Sequence, residues 1–221
     1  MKEPRCARCA EKPCHTGTTD DAVLPPYCPI RNYPELIKSV KARYREADIH
    51  TLFHSAAKTE KESYDVAARR EENRIVPIRP RIREISAFAE KIGAEKIGMA
   101  FCCGLADEAN RAEAILENHG LHVVSAICSC GAVDKALLGI DPEDKMRGPE
   151  AFEAACNPLL QAELLNKAGT AFNVIVGLCI GHDMLFTQAS AAPVTTLIVK
   201  DRFTGHNPVI TLYSRYHRDL V

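Results

Sequence analysis

The chain has 221 residues, of which 46% are hydrophobic and 26% charged, and a formal net charge of −1. This length supports one substantial core, and the near-neutral balance gives no electrostatic basis for binding nucleic acid or an anionic membrane surface. No apolar stretch approaches the roughly 20 residues that a spanning helix needs, and the start, MKEPRCARCAEKPC, lacks an apolar signal core. A cytoplasmic, reducing setting is therefore expected, in which the ten cysteines read as metal ligands or reactive thiols rather than disulfides.

Residues 1–31 carry Cys6, Cys9, Cys14 and Cys28, with five prolines that exclude long regular structure. A segment with so little apolar content lacks a core of its own, and four thiolates around one metal would supply its order. Zinc fits four thiolates most economically; an iron–sulfur cluster and unmetallated thiols are the other readings. Residues 32–76 are expected to be a helical segment packing on the main domain. Apolar spacing predicts one helix from Tyr33 and a second over 49–74, whose charged latter half reads as a solvated face. His50 and His54 share a helix face but have no third ligand nearby in sequence, which favours ordinary surface or packing roles.

Residues 77–221 read as an α/β metal-site domain. A helix over 82–92 precedes four predicted strands, 96–101, 121–127, 172–178 and 194–199, with helices over 105–119, 159–168 and 184–190 between them. Residues 208–213 are expected to be a final edge strand or an extended tail. Alternating strands and helices predict a small open parallel sheet with flanking helices, a Rossmann-like α/β fold. In such a sheet all strand carboxyl ends lie along one edge, where ligands bind.

Three predicted strands end in cysteine: Cys102 and Cys103, Cys128 and Cys130, and Cys179 in the stretch NVIVGLCIGHDMLF. Cys156, just ahead of a helix, can join them. Alternation along a strand sends adjacent side chains to opposite faces, which predicts that only one of Cys102 and Cys103 ligates. The expected set is Cys102, Cys130, Cys156 and Cys179, with Cys103 and Cys128 as neighbours or core. This set favours a [4Fe–4S] cluster with redox or small-molecule chemistry; the alternative is a zinc-stabilised binding or metal-handling protein without turnover. His182 and Asp183 are candidate catalytic residues beside Cys179. His182 reads as a ligand, a proton donor, a partner to a ligand sulfur or a helix cap. Asp201 and His206 follow the last strand, where a turn around Thr204-Gly205 would explain both. Partners are expected to be a small molecule or a redox protein. GxGxxG, P-loop and HExxH motifs are absent.

Several segments carry a resemblance: Phe101-Cys102-Cys103-Gly104-Leu105, Cys130-Gly131, Cys156-Asn157-Pro158, and Gly177 to Asp183. Ala192 to Thr196, Lys200-Asp201-Arg202 and Gly205 to Pro208 add to it. Together with the N-terminal cysteines, they make the chain resemble an uncharacterised cysteine-rich metal-binding family, domain of unknown function 1847. The resemblance implies a cysteine-ligated metal and no established reaction.

Overall fold

The structure is a computed structural model and describes residues 2–216. The chain forms two compact units, residues 1–58 and 59–221.

In the first unit, short 3-10 turns at Cys6–Arg8 and Pro13–Thr16 precede α1 (Pro29–Asn32), α2 (Pro34–Arg43) and most of α3 (Ala47–Glu62), whose last turn belongs to the second unit. Prolines open α1 and α2, where a missing N–H costs nothing. The segment before α2 is tied by scattered bonds: Tyr27 Oη donates to Arg8 O, Tyr33 Oη to Lys2 O, and Asn32 Nδ2 to the Pro26 and Cys28 carbonyls. Its buried apolar groups are few, Leu24 and Cys28 among them.

The helix expected over 49–74 is interrupted. α3 stops at Glu62, and α4 (Val66–Glu71) starts anew. Ser63, Tyr64 and Asp65 are weak helix formers. Asp65 accepts from the Ala68 N–H as an N-cap, and Tyr64 bridges Pro77 in an extended pair.

The second unit is a four-stranded, all-parallel sheet of β1 (Lys96–Phe101), β2 (His122–Ile127), β3 (Asn173–Val176) and β4 (Val194–Ile198), ordered β2-β1-β3-β4. This is the α/β architecture expected from the sequence. α5 (Arg81–Lys91) and α6 (Ala106–Glu117) pack together, as do α7 (Pro158–Ala168) and α8 (His182–Ala189). Right-handed crossovers place the two pairs on opposite faces. Central strands are covered twice and read as continuous apolar runs: β3 is buried throughout, and β1 except at its ends. The core comprises Ile97, Met99, Leu105, Leu116, Leu165, Val174, Val176 and Phe186. Gly98 is required by close approach. A Cβ there would stand 1.9 Å from Asn173 Oδ1, which itself accepts from Thr170 Oγ1 at 2.8 Å.

Residues 209–213 form a short helix, α9 (Val209–Tyr213), not the edge strand or extended tail expected. Bonds after Asn207-Pro208 close locally, from Ile210 N–H to Asn207 O and Thr211 Oγ1 to Pro208 O, so this apolar run curls rather than pairing with β4. No helix among the described residues is long and apolar enough to cross a membrane.

Candidate metal centre

The strand order reverses between β1 and β3, because β1 leads outward to β2 while β3 leads the other way to β4. Ligands of open α/β sheets bind at this switch point, beyond the carboxyl ends. Register sets the cysteines there. Phe101 pairs with Ile127, so Cys102 and Cys128 sit one step beyond the ladder on neighbouring strands, and Cys128 N–H donates to Phe101 O at 2.8 Å. Adjacent strands run about 4.8 Å apart, which brings the two thiols together without any local motif.

The ligand atoms of Cys102, Cys103 and Cys128 all lie within 4.8 Å of one another. Cys103 joins because β1 has ended. Cys102 is extended (φ −80°, ψ 141°), but Cys103 opens a 3-10 turn over Cys103–Leu105, so strand alternation no longer governs it. Its N–H donates to Cys128 Sγ at 3.2 Å. The triad thus contains Cys103, which alternation sets aside, and Cys128, which the expected set leaves as a neighbour or core residue.

Cys156 lies beside the triad. The Asn157 N–H donates to Cys128 O at 2.7 Å, and Asn157 caps α7 by accepting from the Leu160 N–H. Interaction between the two thiols holds Cys156 below its usual range and pushes Cys128 well above it. Cys156 also feels the charges of Cys179, Cys102 and Cys103. Burial raises Cys103, with repulsion from Cys128 and Cys102 adding to it. Burial likewise raises Cys130, whose further link to the group is the charge of Cys128. Cys102 and Cys128 are buried, Cys130, Cys156 and Cys179 half-buried, and Cys103 exposed.

Two cations reach the sulfurs from the segment after β4. Lys200 Nζ donates to Cys102 Sγ at 3.3 Å, and Arg202 Nη2 to Cys179 Sγ at 3.0 Å. Between them Asp201 builds a tight turn. Its carboxylate accepts from the Phe203 and Thr204 N–H groups and from Thr204 Oγ1, while its own N–H donates to His206 Nδ1 at 3.1 Å. The Thr204 hydroxyl, with these amides, holds the Asp201 carboxyl below the usual range. Asp201 and His206 are therefore accounted for by the turn that aims Lys200 and Arg202. Gly104 makes room for the first of these contacts, since a Cβ there would meet Lys200 Nζ at 3.1 Å.

His182 opens α8 with Gly181 as N-cap and no side-chain cap bond. Its Nδ1 is buried without a hydrogen-bond partner. Asp183 Oδ1 accepts from the Met184 N–H at 2.8 Å. In the first unit Cys28 is buried, Cys9 half-buried, and Cys6 and Cys14 exposed. Among the described residues the sulfurs of Cys102, Cys103 and Cys128 form the one such close set. Lys200, noted only within the segment Lys200-Asp201-Arg202, and Gln161, which also bears on this edge, are not among the expected site residues. Their signals were a basic residue just past a strand and a polar residue on the apolar stripe of a helix.

The family described as Protein of unknown function (DUF1847) matches residues 28–197. An uncharacterized protein, MJ0455, of Methanocaldococcus jannaschii is 45% identical over 137 residues, covering 62% of this chain and 68% of that protein. No solved structure matches.

Proposed function

The chain belongs to the DUF1847 family, and from that premise we propose that it is a metal-binding protein with a cysteine-ligated [4Fe–4S] cluster at the carboxyl edge of its sheet. The observation that carries a cysteine-ligated metal at this edge is the meeting of the Cys102, Cys103 and Cys128 sulfurs within 4.8 Å; the cluster in particular is supported by the further thiols beside them, Cys156 among these. Thiolates ligate; Lys200 and Arg202 offset the charge that several thiolates accumulate. Cys179, held by Arg202, brings the sulfurs to five, more than the four that one closed tetrahedral ion takes. Surplus sulfur with an exposed Cys103 suits a centre open to a small molecule or a redox partner. Cys130 remains a candidate ligand by exchange with a neighbour. The buried, unpartnered Nδ1 of His182 supports a role as ligand or proton carrier, with Asp183 next to it in sequence. Cys6, Cys9, Cys14 and Cys28 form a second metal site on this reading, and ten free cysteines suit a reducing cytoplasm.

A specific observation favours a second reading, zinc without turnover. Zn–S bonds near 2.3 Å in a tetrahedron set sulfurs about 3.8 Å apart, closer to the triad's spacing than a cluster, which interposes several atoms, would require. Purification without oxygen, followed by iron, zinc and acid-labile sulfide analysis, separates the two. The cluster reading expects iron and sulfide in equal amounts, about four each per chain, with broad visible absorption. Zinc without sulfide moves the assignment to the second reading, and a chain that holds neither metal overturns both.

A further inference from the structure

α7 buries Pro158, Gln161, Ala162 and Leu165 on one stripe. Gln161 is the polar member, and none of it reaches solvent. Its Nε2 donates to two carbonyls at once, Ala126 O at 2.7 Å and Phe101 O at 3.3 Å. Phe101 is the last residue of β1 and directly precedes Cys102; Ala126 lies two residues before Cys128. One amide group therefore ties together the strand ends that carry the triad. The same helix begins at Cys156-Asn157, and Asn157 is itself bonded to Cys128 O. Gln161 Oε1 accepts nothing. A leucine or methionine would spare the unpaired oxygen but withdraw the donor from both carbonyls, so what the glutamine adds here is the tie between the ends of β1 and β2. Among the described residues, the buried side-chain atoms without a partner are Gln161 Oε1 and His182 Nδ1, in the first turns of α7 and α8.

We infer that Gln161 is a positioning residue of the cysteine centre: its buried amide sets the spacing of Cys102, Cys103 and Cys128 by clamping the ends of β1 and β2. The inference rests on the metal-centre reading in its metal readout and not in its thiol readout. Gln161→Met keeps the length and packing of the side chain and removes both donors. Leu165→Met, one turn further along the same buried stripe, serves as the packing control.

Two measurements are made on the full chain stripped of metal. The first is cobalt(II) affinity, followed through the sulfur-to-cobalt charge-transfer absorption against a competing chelator. The second is the iodoacetamide alkylation rate of Cys102 and Cys128, resolved by peptide mass spectrometry. Gln161→Met is expected to melt close to wild type, to bind cobalt about tenfold more weakly, and to alkylate faster at both buried thiols. Leu165→Met is expected to leave both readouts unchanged. Unchanged affinity and unchanged alkylation in Gln161→Met overturn the inference, as does an equal response in Leu165→Met. If wild type binds no cobalt, the metal-centre reading fails, and the alkylation arm still decides the role of Gln161. Should Gln161→Met not fold, Gln161→Leu is measured in its place. If neither folds, the glutamine is a requirement of the fold and the positioning role is overturned.

Discussion

Gly104 and Lys200 belong to one contact, and they test it from opposite sides. Lys200→Met removes the cation at Cys102 Sγ and should weaken binding of zinc or cobalt about tenfold at pH 7, as loss of an outer-shell partner does. Gly104→Ala leaves the charge in place but puts a methyl 3.1 Å from the ammonium, which must swing away. The variant should reproduce most of that loss with a stability change under about 1 kcal/mol, because only the flexible end of a lysine has to move. Chelator competition measures the affinity and thermal denaturation the stability; Gly104→Ala binding metal like wild type would remove Lys200 from the centre. At this scale the sequence was partly legible. Residue type and strand-end position singled out Cys102 and its neighbours, because a parallel sheet gathers carboxyl ends. Alternation separated Cys103 from Cys102, whereas their sulfurs come together, since that depends on where β1 gives way to a 3-10 turn, a matter of one residue.

The segment between Cys130 and Cys156 is held by ions rather than by a core. Lys135 pairs with Glu153, and Lys145 with Asp134 at 2.8 Å, while Asp134 also accepts from the Ala136 and Glu153 N–H groups. Bonded first by Lys145 and then by those amides, the Asp134 carboxyl falls to about 2 from 3.8. A depressed carboxyl gives stability that is fully present above its unfolded value and lost as pH falls through the folded one. Order in residues 135–152 should therefore persist above about pH 4 and fail as pH falls toward about 2. Pepsin cutting within this segment should rise across that window, and Asp134→Asn should be cut at the upper end of it as readily as wild type at the lower. Cutting that does not depend on pH would show that the ion pairs do not hold the segment. Elements with strong periodicity, β1 and α5 among them, were legible almost to the residue. The break at Ser63–Asp65 and the helix at Val209–Tyr213 were not, because a capping aspartate and bonds closing behind a proline decided them over apolar spacing.

The two units are unlike in what supports them. The second has a buried sheet, whereas the first lacks a comparable core before α2 and has four cysteines in its place. With zinc present, Cys6→Ser should be cut by trypsin within residues 1–31 faster than wild type, while residues 59–221 stay resistant. Equal cutting of the two proteins would leave the N-terminal cysteines without a structural metal. The sulfur cluster of the second unit has a different dependence, which follows from its register. Its close members, at positions 102, 103 and 128, become neighbours only when β1 has paired with β2. An ion arriving earlier would meet isolated thiols with no common geometry. On the proposed reading, loading would follow the pairing of β1 with β2, and a chain truncated before Cys128 could not complete the set. On the same reading, a bound ion would add its affinity to the stability of the two strand ends it joins, and a loaded centre would mark a β1–β2 pair that has formed.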